Sequence, residues 1–176
     1  MKRRRSSSSQ FGAPWSRGVK FATSAAGLLL VGLSVILPLT IPRAAIWAAF
    51  LGPGIMLVTF SLVALFCVRG YTLRHRELLI QRSFWQTRLS LKELQRAYVE
   101  PAAMKKTIRS CGNGGFMAYT GWFYNKRLGH YRAFVTDPAR SVVLEFAKRK
   151  VVVSPDDPDA FVRTLGFDPD AKESAA

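Results

Sequence analysis

A glycine-rich run at residues 111–115, CGNGG, is the motif most suggestive of chemistry in this sequence. A phosphate-binding loop needs a helix start behind its glycines, and usually a Lys followed by Ser or Thr. This run leads instead into FMAY, which is typical of a strand. The pattern therefore predicts a flexible lead-in to a strand. Cys111 within it is the best candidate nucleophile, but no catalytic base stands beside it, so we expect no enzyme activity.

Candidate metal ligands are few and scattered. His75 and His130 are the only histidines, and neither has a Cys or an acid at ligand spacing. Asp156, Asp157 and Asp159 lack the central Gly and the closing Glu of a calcium loop. Their place in the first turn of a helix explains them instead, because acids there complement the helix dipole. We therefore expect no metal and no cofactor.

Basic residues form three clusters in predicted turns of the second part of the chain. They are Arg74 and Arg76; Lys105, Lys106 and Arg109; and Lys148, Arg149 and Lys150. Held close to an anionic membrane, each charge could contribute about 1 kcal/mol to lipid contact. Ordinary solvated charge explains the clusters equally well. These eight residues are the predicted contacts with lipid or with a partner.

An aromatic run at residues 122–124, WFY, lies beside Lys126 and Arg127 and could stack nucleic-acid bases. Consecutive strand residues alternate between faces, however, so core packing uses at least one face of the run. Together with the apolar segments near the N-terminus, this argues against a nucleic-acid partner.

The elements that position these residues begin with an apolar stretch at residues 21–68, whose only charge is Arg43 in the short break PRAA. Residues 21–41 and 46–68 are each long enough, at about 1.5 Å per residue, to cross a hydrocarbon core of about 30 Å. Two spans with so short a link are antiparallel neighbours, so the sequence predicts a transmembrane helical hairpin. Because the spans contain no ionisable side chain apart from Cys67, a transporter or pump is not expected.

Charge is distributed unevenly around this hairpin. Residues 1–68 contain seven Lys and Arg and no acid, and the whole chain has a formal net charge of +15. Basic residues flank both chain ends of the hairpin, which predicts a multi-pass protein of the cell inner (cytoplasmic) membrane with both termini cytoplasmic. A cleaved signal peptide is rejected because a second apolar span follows at once. The two cysteines form no disulfide framework, which fits a reducing compartment.

Residues 69–167 show the short alternating runs of a β-rich domain. Hairpins are predicted within 71–80, 115–136 and 140–154, with further strands within 83–91 and 92–101. Residues 102–115 are predicted to be a loop, and Gly121 a bulge or a close backbone approach. A helix follows, starting at Ser154 or at Asp157 and ending at Gly166. The tails 1–20 and 168–176 are predicted to be disordered.

The order of about seven strands and one C-terminal helix resembles the pleckstrin-homology (PH) fold. The most specific part is VVL at residues 142–144, a basic turn, and VVVSPDDPDAF at 151–161. It resembles the end of bacterial PH-like domains, which are often tethered to a two-span hairpin. The resemblance covers residues 70–166 and implies an antiparallel, barrel-like domain, α+β or mostly β, without a cofactor. The lipid-binding pattern of eukaryotic relatives is matched only loosely by Arg74, Arg76 and Arg82, so phosphoinositide binding does not carry over.

These observations predict a membrane-anchored, non-enzymatic cytoplasmic module that binds or scaffolds. Exposed strand edges and surplus aromatic residues favour a membrane-associated protein partner or a homo-oligomer. The alternative is a sensor of the anionic lipid surface that uses the basic turns. In either case the lipid bilayer is a partner of the anchor.

Overall fold

The computed structural model describes residues 8–40, 42, 46–74, 76–115 and 117–169. The predictions for Arg43, for His75 and for residues 1–7 and 170–176 of the two tails lie outside the described residues. The described chain forms three α-helices and ten β-strands. In chain order they are β1 (Ser8–Gly12), α1 (Arg17–Thr40), α2 (Ile46–Leu65), β2 (Val68–Arg74), β3 (Glu77–Arg82), β4 (Gln86–Ser90), β5 (Leu94–Val99), β6 (Ile108–Gly114), β7 (Tyr119–Asn125), β8 (Gly129–Val135), β9 (Val142–Phe146), β10 (Lys150–Val153) and α3 (Pro158–Thr164).

Helices α1 and α2 are antiparallel neighbours joined by a short link. Ala26 and Leu30 of α1 line the space between them, together with Met56 and Phe60 of α2. Three hydroxyls of the helices, those of Ser34, Thr40 and Thr59, donate to backbone carbonyls within their own helix, as Ser34 Oγ does to Leu30 O at 2.8 Å. Such hydroxyls have a partner in the absence of water, as an apolar environment requires.

Each of the two helices has one end a few residues away from the predicted bound. α1 begins at Arg17 rather than at residue 21, because Ser16 caps it: the N–H of Val19 donates to Ser16 Oγ at 3.2 Å. α2 ends at Leu65 rather than at residue 68, because Val68 is fully buried in the domain and begins β2.

Within the described part of the chain, α1 is the one helix that is long and apolar enough to cross a membrane, judged by length and composition. None of its most apolar stretch is buried against the protein, unlike the core helix of a soluble domain. A shorter apolar stretch, Phe50–Leu65, accompanies it in α2. This apolar N-terminal helix suggests membrane association, although its position is also typical of a signal sequence.

The first sheet contains β1, β2, β3 and β4 in that order, and every neighbouring pair is antiparallel. The predicted hairpin between β2 and β3 is confirmed, with Arg74 opposite Glu77 at its tight end. β4 follows after a turn at residues 83–85 and forms one edge of the sheet.

Strand β1 forms the other edge, so the prediction of a disordered tail over residues 1–20 is wrong for residues 8–20. β1 pairs with β2 along its whole length. Phe11 packs edge to face against Phe161 with ring centroids 5.1 Å apart, and Gly12 O accepts from the N–H of Asp156 at 3.0 Å. These distant contacts order a segment whose composition alone is that of a flexible tail.

The second sheet has six strands in the order β5–β9–β10–β8–β7–β6. Its neighbours are antiparallel except β10 and β8, which run parallel with Val152 opposite Ala133. After β8 the chain forms β9 one strand position away and then returns as β10 into the gap between them. The predicted β9–β10 hairpin is confirmed. The expectation of about seven antiparallel strands is corrected to nine described strands after α2, with one parallel pair.

Part of the predicted loop at residues 102–115 is a strand, because Ile108–Gly114 form β6 and pair with β7. Two facing glycines permit this pairing. Gly121 has φ +142°, and a Cβ on it would lie 2.1 Å from Cys111 O; Gly112 opposite has φ +112°. The predicted close approach at Gly121 is therefore confirmed, and β6 becomes the open edge of the second sheet.

Two hydrophobic clusters cover the two faces of the second sheet. One lies between the sheets and against α3, and includes Tyr71, Phe134 and Phe161. The other lies on the opposite face, where the rings of Phe123 and Tyr131 stack with centroids 6.1 Å apart beside the segment 100–107. Because both faces are occupied there, residues 142–144 of β9 and 151–153 of β10 are apolar and buried, whereas β8 keeps His130 and Arg132 exposed.

Helix α3 closes the first cluster. It begins at the second of the two predicted starts: Asp157 is the N-cap, and its Oδ1 accepts from the N–H of Ala160 at 2.9 Å. Pro158 follows at the start of the helix, where its missing N–H costs no hydrogen bond. Phe161 is fully buried, and Gly166, with φ +86°, follows the end of the helix as predicted.

Candidate functional site

A buried hydrogen-bond network joins the two sheets. The hydroxyl of Tyr71 donates to Phe134 O at 2.5 Å and accepts from the N–H of Ser154 at 3.1 Å. Ser154 Oγ in turn accepts from the N–H groups of Thr136 at 2.8 Å and Asp137 at 3.2 Å. Burial raises the pKa of Tyr71 to about 12, so the hydroxyl stays protonated. The network is closed to solvent, and its role is to hold the sheets together.

Cys111 and His130, the candidate reactive residues of the second sheet, lie two strands apart among aromatic neighbours. Cys111 is exposed in β6, opposite Trp122 of β7. His130 is exposed in β8, where its ring lies 4.8 Å from that of Tyr124. No group of three or more His, Cys, Asp or Glu that could hold a metal ion occurs across the described residues.

The first predicted basic cluster lies at the end of β2 away from the helices. Arg74 is the last residue of that strand, and Arg76 lies in the turn that follows. Both line an open depression with Glu77 and Lys92. At about 3.3 Å per residue, β2 separates them from the end of α2 by about 20 Å.

The second predicted cluster lies only partly in a turn. Lys105 and Lys106 are exposed in a turn, whereas Arg109 belongs to β6 and its guanidinium reaches back to Gly114. Arg109 also lines a groove of about 330 Å³, together with Met104 and Tyr119. The position of Arg109 is a correction, because the strand was predicted to be loop.

The third predicted cluster is partly neutralised. The guanidinium of Arg149 lies 5.0 Å from the ring centroid of Phe146, and Lys150 Nζ forms an ion pair with Glu145 Oε1 at 2.8 Å. Lys150 belongs to β10 rather than to the turn. Within the cluster, Lys148 is the residue with no ion pair or ring contact to the described residues. The structure does not bring the eight predicted residues together in one site.

A different basic and aromatic surface lies where α2 meets the domain. Ser83 Oγ donates to Ala64 O at 3.1 Å, and Arg82 Nη1 donates to Phe66 O at 2.9 Å, so the turn between β3 and β4 is bonded to the end of α2. Phe66 meets Trp85 edge to face, with ring centroids 4.9 Å apart. We call this the junction surface; its members are Phe66, Arg82, Phe84, Trp85, Trp122 and Arg132.

Two arginines from different sheets meet in the junction surface. The guanidinium carbons of Arg82 and Arg132 lie 5.5 Å and 4.8 Å from the centroid of the Phe134 ring. Burial lowers the pKa of Arg82, and the positive charge of Arg132 adds to that effect. Among the residues that the structure describes, neither arginine forms an ion pair, and the buried Nε of Arg82 has no hydrogen-bond partner.

The aromatic members of the junction surface are open to solvent. Phe84 is 80% exposed, and Phe66 and Trp122 are each 49% exposed. Large apolar side chains that stay exposed in one place mark a surface of interaction. The sequence has no acid between Glu100 and Asp137 but six Lys and Arg. Of these, Arg132 lies beside the ring of Trp122, whereas Arg127, at the other end of β7, pairs with Glu100.

The open edge of β6 is a second exposed surface. Six of its seven residues are exposed, and Ile108 is exposed to 69%. As a terminal strand, β6 presents one row of backbone N–H and C=O groups outward. Trp122 and Tyr124 of the neighbouring β7 expose aromatic rings beside it.

Sequence reasoning found the basic turns but missed the junction surface and β6. Arg82 and Arg132 are 50 positions apart, and only the packing of the two sheets around Phe134 brings them together. A signal did exist at Arg82, which stands just before the aromatic pair of RSFW at residues 82–85. In β6, the glycines at residues 112 and 114 hid the alternation that marks a strand.

Comparison with protein families identifies the domain. The model of the bacterial PH domain family matches residues 69–166, more than half of the 176 residues. The match begins one residue into β2 and ends just after α3, so β1, α1 and α2 precede it. No match is found among curated proteins or among solved structures.

Proposed function

The chain belongs to the bacterial PH domain family, and from this we propose that it is a membrane-anchored binding module whose domain recruits a membrane-associated protein. The family and the sheet-rich fold support a binding or scaffolding role. The proposal makes α1 and α2 a two-span hairpin of the inner membrane, with both termini cytoplasmic. It gives the domain no catalytic role, so a Cys111→Ser variant should keep the full cellular function.

One observation carries the anchoring part of the proposal. β1 precedes α1 and β2 follows α2, yet the two strands pair, with Gly12 opposite Gly70. The helical segment therefore leaves and re-enters the domain at the same place. A chain that enters a membrane through α1 must return before β2, and α2, with its 20 residues, is about 30 Å long. Arg17, Lys20 and Arg69 at these ends favour the cytoplasmic side.

The open edge of β6 supports a protein as the partner. A strand from another chain can extend a sheet by pairing with an unpaired edge, and pockets beside the edge then select its side chains. The groove lined by Met104, Arg109 and Tyr119 lies beside β6 and offers apolar and basic contacts together. An extended, partly apolar segment with an acidic residue fits these contacts best.

The native thiol of Cys111 allows a direct test, because Cys111 is exposed in β6 whereas Cys67 is buried. In membranes that hold the full-length protein, a photoactivated cross-linker on Cys111 should give one adduct of defined mass, identified by mass spectrometry. Ile108→Lys should reduce its yield about tenfold, because an unpaired charge at a strand pairing costs about 1.4 kcal/mol or more.

The matched control moves the cross-linker to an edge strand of the first sheet. A Cys111→Ser, Ser90→Cys protein carries it on β4, where little adduct is expected. Equal yields from β4 and β6, or a yield that Ile108→Lys leaves unchanged, would contradict recognition by the β6 edge. Release of the protein from membranes by an alkaline carbonate wash would contradict the anchoring.

Lipid sensing through the predicted basic turns is the weaker alternative. The three clusters are separate, Lys150 is engaged with Glu145, and β2 carries Arg74 away from the end of α2. Contact of these turns with a membrane surface would require the domain to fold back against the bilayer through its far end.

A further inference from the structure

We propose that the junction surface binds the phosphate groups of anionic lipids in the membrane that holds the helices. The proposal rests on the membrane anchoring proposed above, and it assigns the lipid contact to a place other than the predicted basic turns. Its occupant is the lipid headgroup layer rather than a second protein.

The chemistry of the two arginines carries the first step. A guanidinium presents several N–H donors in a planar fork that matches the oxygens of a phosphate. Arg82 and Arg132 approach the same Phe134 ring, yet among the described residues no carboxylate neutralises either of them. The buried Nε of Arg82 still lacks an acceptor. Because that Nε is buried, an anionic oxygen would bind at the exposed guanidinium of Arg132 instead, and it would relieve the repulsion between the two charges.

The second step concerns the position of the surface relative to the end of α2. Arg82 Nη1 is bonded to Phe66 O, which lies one residue beyond the end of α2, and Ser83 is bonded to Ala64 O in the last turn. The polar layer on each side of a bilayer core is about 5–8 Å thick. With α2 in the membrane, these bonds hold Arg82 within the layer where lipid phosphates lie.

The aromatic side chains carry the third step. Trp and other amphipathic rings are enriched at membrane–water interfaces. Phe84, Trp85 and Trp122 are exposed around the arginines, and Phe66 links them to the helix end. A soluble protein partner would also cover such rings, but the bonds to α2 place them beside lipid before any partner arrives. Charge complementarity agrees, because Arg132 lies beside the Trp122 ring and the sequence has no acid between Glu100 and Asp137.

The test uses the full-length chain in lipid nanodiscs, made of phosphatidylcholine alone or mixed with anionic phosphatidylglycerol. The reporter is Gln86→Cys in a Cys111→Ser background, at the exposed start of β4 beside Trp85. Its rate of reaction with a water-soluble maleimide should fall in anionic discs and recover at high salt, because screening weakens surface charge contacts. A Ser90→Cys reporter at the other end of β4 should react equally fast in both discs.

Arg132→Gln is the main variant, because Arg132 is exposed and its loss leaves the bond between Arg82 and α2 in place. It should restore the labelling rate in anionic discs by about fivefold, and Arg82→Gln by a similar factor. The matched control, Lys148→Gln with Arg149→Gln, removes two far-end charges and should leave the protection unchanged. Equal melting temperatures would show that the variants fold.

Each remaining outcome overturns the proposal for a separate reason. Equally fast labelling in both discs would mean that the surface does not bind anionic lipid. Equally slow labelling in both discs would mean that the surface enters the bilayer through its apolar side chains. Protection produced equally by free inorganic phosphate would assign the arginines to a soluble anion. Protection that needs two protein copies per disc would make the surface a protein interface. Failure of the chain to enter discs at all would instead contradict the proposed anchoring.

Discussion

The two ends of the domain, one at the helices and one at the far turns, both have basic side chains. The two ends differ in what these side chains contact. At the far end, Lys150 pairs with Glu145, and Arg76 shares an open depression with Glu77. At the helix end, Arg82 and Arg132 lie against aromatic rings and form no ion pair within the described chain. The packing of the two sheets therefore gathers charge without described counterions at a place that clustering along the sequence does not reveal.

The largest expected effect is the difference in stability between alanine substitutions at two glycines, Gly121 and Gly129. Gly121→Ala would place a Cβ 2.1 Å from Cys111 O inside the β6–β7 pairing, whereas Gly129, in the far turn, has φ +71° and nothing within 4 Å of such an atom. Strain plus overpacking should lower the free energy of unfolding by about 4 kcal/mol for Gly121→Ala, against about 1 kcal/mol for Gly129→Ala. Melting temperatures of the full-length proteins in one detergent would measure both. Similar losses at the two sites would show that β6 does not approach β7 as closely as described.

An intermediate effect should follow from removing the Tyr71 hydroxyl, which joins the sheets near the helix end. Tyr71→Phe leaves Phe134 O and the N–H of Ser154 without that partner, a loss of about 2 kcal/mol at neutral pH. The pKa of Tyr71 is raised to about 12 in the fold, against about 10 when unfolded.

The sign of that shift gives the Tyr71→Phe test its pH dependence. The contribution of Tyr71 is fully present below about pH 10 and is lost as the pH rises towards 12, at about 1.4 kcal/mol per pH unit. The stabilities of wild type and Tyr71→Phe should therefore converge in this window. Parallel melting curves from neutral pH to pH 12 would mean that Tyr71 is not shielded as the structure has it.

The smallest effect is expected at the far end. Arg74→Gln with Arg76→Gln should change the free energy of unfolding by no more than about 0.5 kcal/mol, because both side chains are exposed. Labelling of the Gln86→Cys reporter in anionic nanodiscs should also stay slow. A loss of protection equal to that of Arg132→Gln would remove the distinction between the two ends.

Elements that depend on neighbours in the sequence were predictable. The turn between β2 and β3, the β9–β10 hairpin and the Asp157 cap of α3 each follow from a few adjacent residues. β1 was not predictable, because SSQFG has little strand propensity and is ordered by β2 and Phe161 from far along the chain. The parallel insertion of β10 likewise has no local signature.

The candidate site likewise has a part that the sequence predicts and a part that only packing creates. Adjacent basic residues were easy to find, and they proved to lie apart, at three separate strand ends and turns. The arginine pair needed the packing of two sheets, because Arg82 comes from β3 and Arg132 from β8. Isolated arginines are common in any sequence, so only their shared contact with Phe134 distinguishes these two.

The place of β10 in the middle of the second sheet has a consequence for biosynthesis. β10 is the last of the described strands to be made, yet it fills the gap between β8 and β9. While the ribosome makes the residues from the end of β8 to the end of β10, about 1–4 s at ordinary elongation rates, β8 keeps an unpaired backbone edge. A nascent chain stalled in this interval, or a product truncated before residue 150, would expose that edge to chaperones and proteases.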